Sequence, residues 1–143
     1  MESTTDGTIS LHILDSLMEE INSLNRRNDN IFIIKSTVVP GTTQRYIERY
    51  PKLNIVFNPE FLTERAARLE FINASRIVLG GDPALCARVE GLYRDRFPIT
   101  KIIKTDTKSA EFIKYMCNCF FATKVSFMNE MRQAAHADAL NWN

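Results

Sequence analysis

Four short apolar runs constrain this chain more than any other feature. They are Ile31-Phe32-Ile33-Ile34, followed by a polar turn; Leu53–Phe57, ended by Asn58-Pro59; Arg76–Leu79, ended by Gly80-Gly81; and a shorter run at Ile99–Ile103. Helical patterns fill the intervals. Ser10–Leu24 carries Leu11, Leu14, Leu17, Met18, Ile21 and Leu24 at three- and four-residue steps, which places them on one face. A short helix after the Ser36–Thr43 turn runs to Tyr50 and is stopped by Pro51. Phe61–Phe71 reads as helical, and Asp82-Pro83 starts a helix to about Phe97 with an acceptor cap and a proline in the first turn. From Asp106 to about Ala137 a long helix contains neither Gly nor Pro. Strands alternating with helices predict an α/β fold, a parallel sheet flanked by helices. The Ile31–Ile34 run is apolar enough to be covered on both faces.

Composition narrows the function classes. The 143 residues make one domain plus an appended element. Lys+Arg 18 against Asp+Glu 17 leaves a net charge of +1, which excludes both a polycation that coats nucleic acid and an acidic disordered tail. Three cysteines without a CxxC or a His pair give neither a disulfide framework nor a zinc site; Cys117 and Cys119 lie on an apolar segment and read as buried free thiols. The polar start, MESTTDGTIS, lacks the build of a signal peptide, and no uncharged apolar run approaches the ~20 residues of a membrane helix. A soluble protein of a reducing cytoplasm is expected.

Three constellations could carry chemistry. Lys35–Thr43 lies at the carboxyl end of a strand, the edge at which open α/β sheets bind ligands. Its hydroxyls and the N–H groups of the next helix start could hold a phosphate or ribose oxygen, or form an ordinary capped turn. Asn58–Glu64 follows the next strand; Glu60 and Glu64, one helical turn apart, could act as a general base, or simply favour a helix start. On the long helix, Glu111, Lys114 and Asn118 form a polar stripe on an otherwise apolar circumference, so Lys114 either pairs structurally with Glu111 or lines a cavity. His12 and His136 are isolated, and Tyr46, Arg49 and Tyr50 lack the basic surroundings of a nucleic-acid patch.

Taken in order, the blocks KSTVVPGTT, NPEFLTERAARLEF, SRIVLGG and AEFIKYMCNCFFATKVSFMNE resemble the nucleotide-sugar 6-dehydrogenases, the UDP-glucose/GDP-mannose dehydrogenase family. The last block followed by HADALNWN is most similar to the UDP-glucose branch. The resemblance implies NAD-dependent oxidation of a sugar C6 alcohol to the uronic acid, through an aldehyde captured by a cysteine. It implies Thr37 and Glu64 as NAD contacts, Glu60 as the residue that positions the hydrolytic water, and Lys114 and Asn118 as holders of the C6 oxygen, a preorganised oxyanion site. It also implies a nucleotide-sugar substrate, UDP-glucose first, and a homo-oligomer or a complementing chain.

The same resemblance divides the chain into residues 1–105, a partial Rossmann-like NAD-binding domain, and 106–143, a long central dimerisation helix that starts the family's middle domain. The family's glycine-rich first strand-turn-helix and its cysteine block have no counterpart in the sequence, and Thr63 and Arg65 stand where the family has Arg and Gly. The expectation is thus part of a dehydrogenase, inactive in isolation, with a non-catalytic remnant or accessory oligomerisation chain as the alternative. Lys114 and Asn118 are expected to share a cavity with the Thr37 turn and Glu60.

Overall fold

The computed structural model describes residues 10–25, 27, 29–62 and 65–142. Nine elements follow in order: α1 (His12–Leu24), β1 (Ile31–Ile34), α2 (Thr42–Arg49), β2 (Asn54–Phe57), α3 (Ala67–Ile72), β3 (Arg76–Gly80), α4 (Pro83–Arg96), β4 (Lys101–Thr105) and α5 (Thr107–Ala137). The strands form one sheet in the order β1-β2-β3-β4.

Side-chain alternation along the two central strands builds the layers. Ile55, Phe57 and Val78 face one side, where Met18 of α1, Tyr46 of α2 and Ala110 of α5 cover them. Val56, Ile77 and Leu79 face the other, against Cys86 and Val89 of α4 and Phe97 behind it. β1 is covered less completely than its composition predicts: Ile34 is buried, whereas Ile31, Phe32 and Ile33 are half-buried, because β1 is an edge strand. On α1, Met18 is buried and Leu11, Leu14 and Ile21 pack on the core, while Leu17 and Leu24 point outward. Asp15 accepts a 2.7 Å hydrogen bond from the Tyr46 hydroxyl; burial first, then this carboxylate, pushes that phenol up to about 12. Tyr46 and Tyr50 are core residues, which removes them as a stacking surface.

Two elements depart from the predicted pattern. The sheet is mixed: β1 pairs with β2 and β3 with β4 in parallel, but β2 and β3 run antiparallel through Phe57↔Gly80. A parallel return needs a crossover helix lying on the sheet. α3 is six residues long and buries none of its side chains, so the chain comes back alongside β2 instead. The helix expected over Phe61–Phe71 begins only at Ala67; Phe61 and Leu62 are non-helical, as is Glu60. α5 docks through its first turns, with Thr107, Ala110, Glu111 and Lys114 buried, and most of its remaining length is exposed. The thiols follow that division: Cys86 is buried, but Cys117 is only partly covered and Cys119 is exposed, because their segment projects from the core.

Candidate functional site

β1 and β2 are parallel neighbours, so the residues that follow both strands emerge at one edge of the sheet. Lys35 follows β1 and Asn58 follows β2, where the Asn58 N–H extends the ladder to the Ile34 carbonyl at 2.8 Å. Asn58 is buried and joins three elements. Its Oδ1 accepts from Lys35 Nζ at 3.0 Å and from the Tyr93 hydroxyl of α4, and its Nδ2 donates to the Val78 carbonyl of β3 at 2.8 Å. Every polar atom of the amide is used, which fixes the Asn58-Pro59-Glu60 corner. Burial lowers the affinity of the Lys35 amine for its proton, opposed by the nearby Glu60 carboxylate, and burial raises the Tyr93 phenol.

Above this corner lies a cavity of about 450 Å³, whose lining includes Lys35, Glu60, Phe61, Arg76, Tyr93 and Phe121. The Phe61 ring carries two cations, the Arg76 guanidinium 4.7 Å and the Lys114 ammonium 5.6 Å from its centroid. Lys114 is 8% exposed, and no carboxylate among the described residues pairs with it. An ammonium so placed is held by the quadrupole of the ring rather than by a counter-ion.

Glu111, one turn before Lys114, does something else. Its fully buried carboxylate accepts from the Gly41 N–H and, at 2.7 Å, from the Thr43 N–H. It therefore caps α2 across the interface, and the Glu111–Lys114 pair considered from the spacing is not formed.

The predicted site residues are placed as follows. Thr37 is partly exposed in the turn after β1, and its hydroxyl makes no hydrogen bond to any described residue. Glu60 is exposed at the cavity, Lys114 abuts Phe61, and Asn118 is exposed one turn further along α5. Glu64 lies outside the described residues. Glu60 lies off any helix, so the expected Glu60–Glu64 helical face is not formed. Nor do the four residues line one cavity: Glu60 lines it, while Thr37, Lys114 and Asn118 do not. The connection between the two motifs is the Lys114–Phe61 contact. Lys35, Asn58, Phe61 and Arg76 all fall inside the motif blocks without a spacing that marks them individually, and Tyr93 carries no sequence signal. A polar pair closing two adjacent buried strands is the pattern that would have marked Lys35 and Asn58.

A dinucleotide would need a pyrophosphate cradle, usually a free helix start. The starts of α2, α4 and α5 are each taken by a carboxylate of the chain itself: Glu111 on α2, Asp82 on Ala84 and Leu85 of α4, and Asp106 on Ser109 of α5. The phosphate-holding reading is thereby corrected at the start of α2, where the N–H groups of Gly41, Thr42 and Thr43 are already bonded. Thr37 stands at the sheet edge where β1 ends, with a hydroxyl that no described residue occupies. Among the described residues, no group of His, Cys, Asp and Glu has the arrangement of a metal site.

Comparison with known proteins places this geometry. Residues 2–96 match the NAD binding domain, and residues 108–143 the central domain, of the UDP-glucose/GDP-mannose dehydrogenase family. The UDP-glucose 6-dehydrogenase of Rickettsia conorii is 37% identical over 125 residues, covering 82% of this chain and 27% of that protein. UDP-glucose 6-dehydrogenase YwqF of Bacillus subtilis is 35% identical over 135 residues, covering 89% of this chain and 30% of that protein. The crystal structure of a ternary complex of GDP-mannose dehydrogenase from Pseudomonas aeruginosa superposes with a TM-score of 0.85 at 27% identity, over 98% of this chain and 35% of that one. The chain thus spans about a third or less of these relatives. With both family domains matched in order and the fold shared, the chain belongs to the UDP-glucose/GDP-mannose dehydrogenase family.

Proposed function

We propose that this chain forms part of an NAD-dependent nucleotide-sugar 6-dehydrogenase, with UDP-glucose as the substrate and the uronic acid as the product. The single observation that carries the reading is Lys114, a cation nine-tenths buried with no counter-ion among the described residues and pressed on Phe61 of the NPEF segment. Such burial is costly unless a bound group compensates it. In this proposal the Lys114 ammonium and the Asn118 amide, one turn apart on α5, donate to the sugar C6 oxygen and stabilise charge that develops there. Glu60 holds the hydrolytic water at the cavity, where its exposure lets water reach it. Thr37 and Glu64 contact NAD, which when bound supplies the hydride acceptor.

Residues 1–105 make up the partial dinucleotide-binding unit of this proposal and residues 106–143 the helix that opens the central domain. In this proposal the pyrophosphate is not held at the starts of α2, α4 or α5, which carboxylates of the chain occupy. Among the described residues no strand pairs with the outer edge of β1, and its half-buried apolar side chains suit a further strand. A complementing polypeptide or another part of the protein would attach there. The three free thiols support a reducing cytoplasm as its compartment in this proposal. Among the described residues no helix is long and apolar enough to cross a membrane.

The test is kinetic. The chain alone should form no NADH from UDP-glucose; robust turnover would overturn the need for complementing parts. In the enzyme assembled with those parts, Lys114→Ala should lower kcat by a factor on the order of 10²–10³ while leaving NAD affinity nearly unchanged. Intact turnover with only a change in affinity removes Lys114 from the chemistry. One observation favours a second reading, a non-catalytic chain that keeps the scaffold for oligomerisation: the exposed apolar length of α5, including Phe112, Phe120 and Phe127. A chain that oligomerises, yet stays inactive with every complementing part supplied, would select it.

A further inference from the structure

The turn that carries Thr37 and the helix that carries Lys114 belong to different parts of the chain, and one side chain ties them. Glu111 reaches Gly41 across 70 residues of sequence and Thr43 across 68. Its two oxygens take one N–H each, Oε2 from Gly41 and Oε1 from Thr43, so the grip is bidentate and directional. An apolar anchor would tolerate sliding of α5 along α2; two short hydrogen bonds accepted by one carboxylate do not. The gripped turn is itself closed by Thr42, whose N–H and Oγ1 both donate to the Val39 carbonyl, at 3.0 and 2.7 Å. On the other side, Lys114 lies three residues after Glu111 on the same helical face, with its ammonium against Phe61. Rotation of α5 that released Glu111 would swing Lys114 off the ring.

We infer that Glu111 is a positioning residue: it registers Lys114 against the Thr37 turn, and so the substrate side of the site against the cofactor side. This rests on the roles proposed above for Lys114 and Thr37. The sequence reading sees Glu111 as part of a polar stripe with Lys114 and Asn118, and nothing in that spacing points to the α2 turn.

The experiment uses the whole chain and needs no turnover. Brief acetylation followed by mass spectrometry gives the rate at Lys114 relative to Lys108 and Lys124, exposed residues of the same helix. Alkylation of Cys86, buried on the opposite side of the sheet, reports global opening. In Glu111→Gln, Lys114 should acetylate about tenfold faster relative to Lys108 while Cys86 stays protected, as expected for local release. The Thr37 methyl resonance should shift in the same variant. Unchanged Lys114 reactivity in the folded variant overturns the inference, and so does a joint rise at Lys114 and Cys86, which would make Glu111 a general stabiliser. Should the variant not fold, amide exchange in the unsubstituted chain decides: Gly41 and Thr43 N–H groups should exchange as slowly as those of β2, and fast exchange overturns the bidentate grip. If labelling succeeds but the assembled enzyme oxidises no nucleotide sugar, the registration stands as geometry and the dehydrogenase reading alone falls.

Discussion

Gly80 ends β3 directly beneath the first turn of α5, and a hydrogen is all the space permits. A Cβ there would lie 2.5 Å from the Ala110 Cβ, 2.9 Å from the Asp106 carbonyl oxygen and 3.1 Å from the Thr107 Cα. Two of these are backbone atoms, and the helix cannot back away because Glu111 holds it on α2. Gly80→Ala should therefore cost about 1–3 kcal/mol, the usual range for overpacking, visible as a lower urea midpoint with unchanged slope. A variant as stable as the parent would mean that α5 is not seated as described. At this scale the sequence shows where a residue is special more readily than why. Gly80-Gly81 reads as a strand stop, which it is, but the close approach of α5 depends on a helix 27 residues later in the chain. Glu111 and Lys114 read as one polar stripe; their actual partners come from α2 and from the segment after β2, and no spacing within α5 names either.

Among the elements, helix starts are the most legible. Asp82 caps α4, with Oδ1 accepting from Ala84 and Leu85 at 2.9 and 3.1 Å, as its Asp-Pro sequence predicts. Asp106 caps α5 by accepting from the Ser109 N–H at 2.8 Å, and hydrogen bonding to Ser109 holds its carboxyl below the usual 3.8. A carboxyl whose folded value is depressed adds stability that is fully present above the unfolded value and is lost as pH falls through the folded one. The stability gap between the parent and Asp106→Ala should thus be constant near neutrality and shrink below pH 3.8. Denaturation curves at pH 7 and in the acid range measure it, and a gap that persists unchanged into acid would take the carboxylate out of the cap. The strands β1 to β3 are legible for a related reason, as short apolar runs that pass into a polar turn, into Asn58-Pro59 and into Gly80-Gly81, whereas β4 runs over Lys101–Thr105 rather than Ile99–Ile103. The segment after β2 misleads because Phe61 and Leu62 have helix-compatible neighbours, yet the Phe61 ring is spent on Arg76 and Lys114 and the backbone stays non-helical. Tertiary contact overrides local propensity there, and it does so at the candidate site.

For the whole molecule, what the alternation of elements leaves open is strand direction and what covers the surface. Two βαβ units are plain from the pattern, but their antiparallel junction at Phe57↔Gly80 depends on α3 being too short and too exposed to cross the sheet. α5 poses the larger question. Beyond Lys114 its only buried residue is Ala135, whereas Phe120 is 62% and Phe127 58% exposed, with Met116 and Val125 similarly bare. Solvating aromatic rings over that length is unfavourable, and at about 25 cal/mol per Å² of apolar surface even partial coverage by another molecule is worth several kcal/mol. The chain should accordingly associate: light scattering across about a hundredfold range of concentration should show its mass rise, as mass action requires. Phe120→Glu places a charge on this face at an exposed position, so it should hold the chain monomeric at the concentrations where the parent assembles, with helix content preserved. Association that Phe120→Glu leaves intact would move the contact to another surface, the outer edge of β1 first, because no strand among the described residues pairs with it and its apolar side chains are half-buried. A parent chain that stays monomeric throughout would remove self-association as the reason for the apolar length of α5 and leave a different polypeptide as its cover.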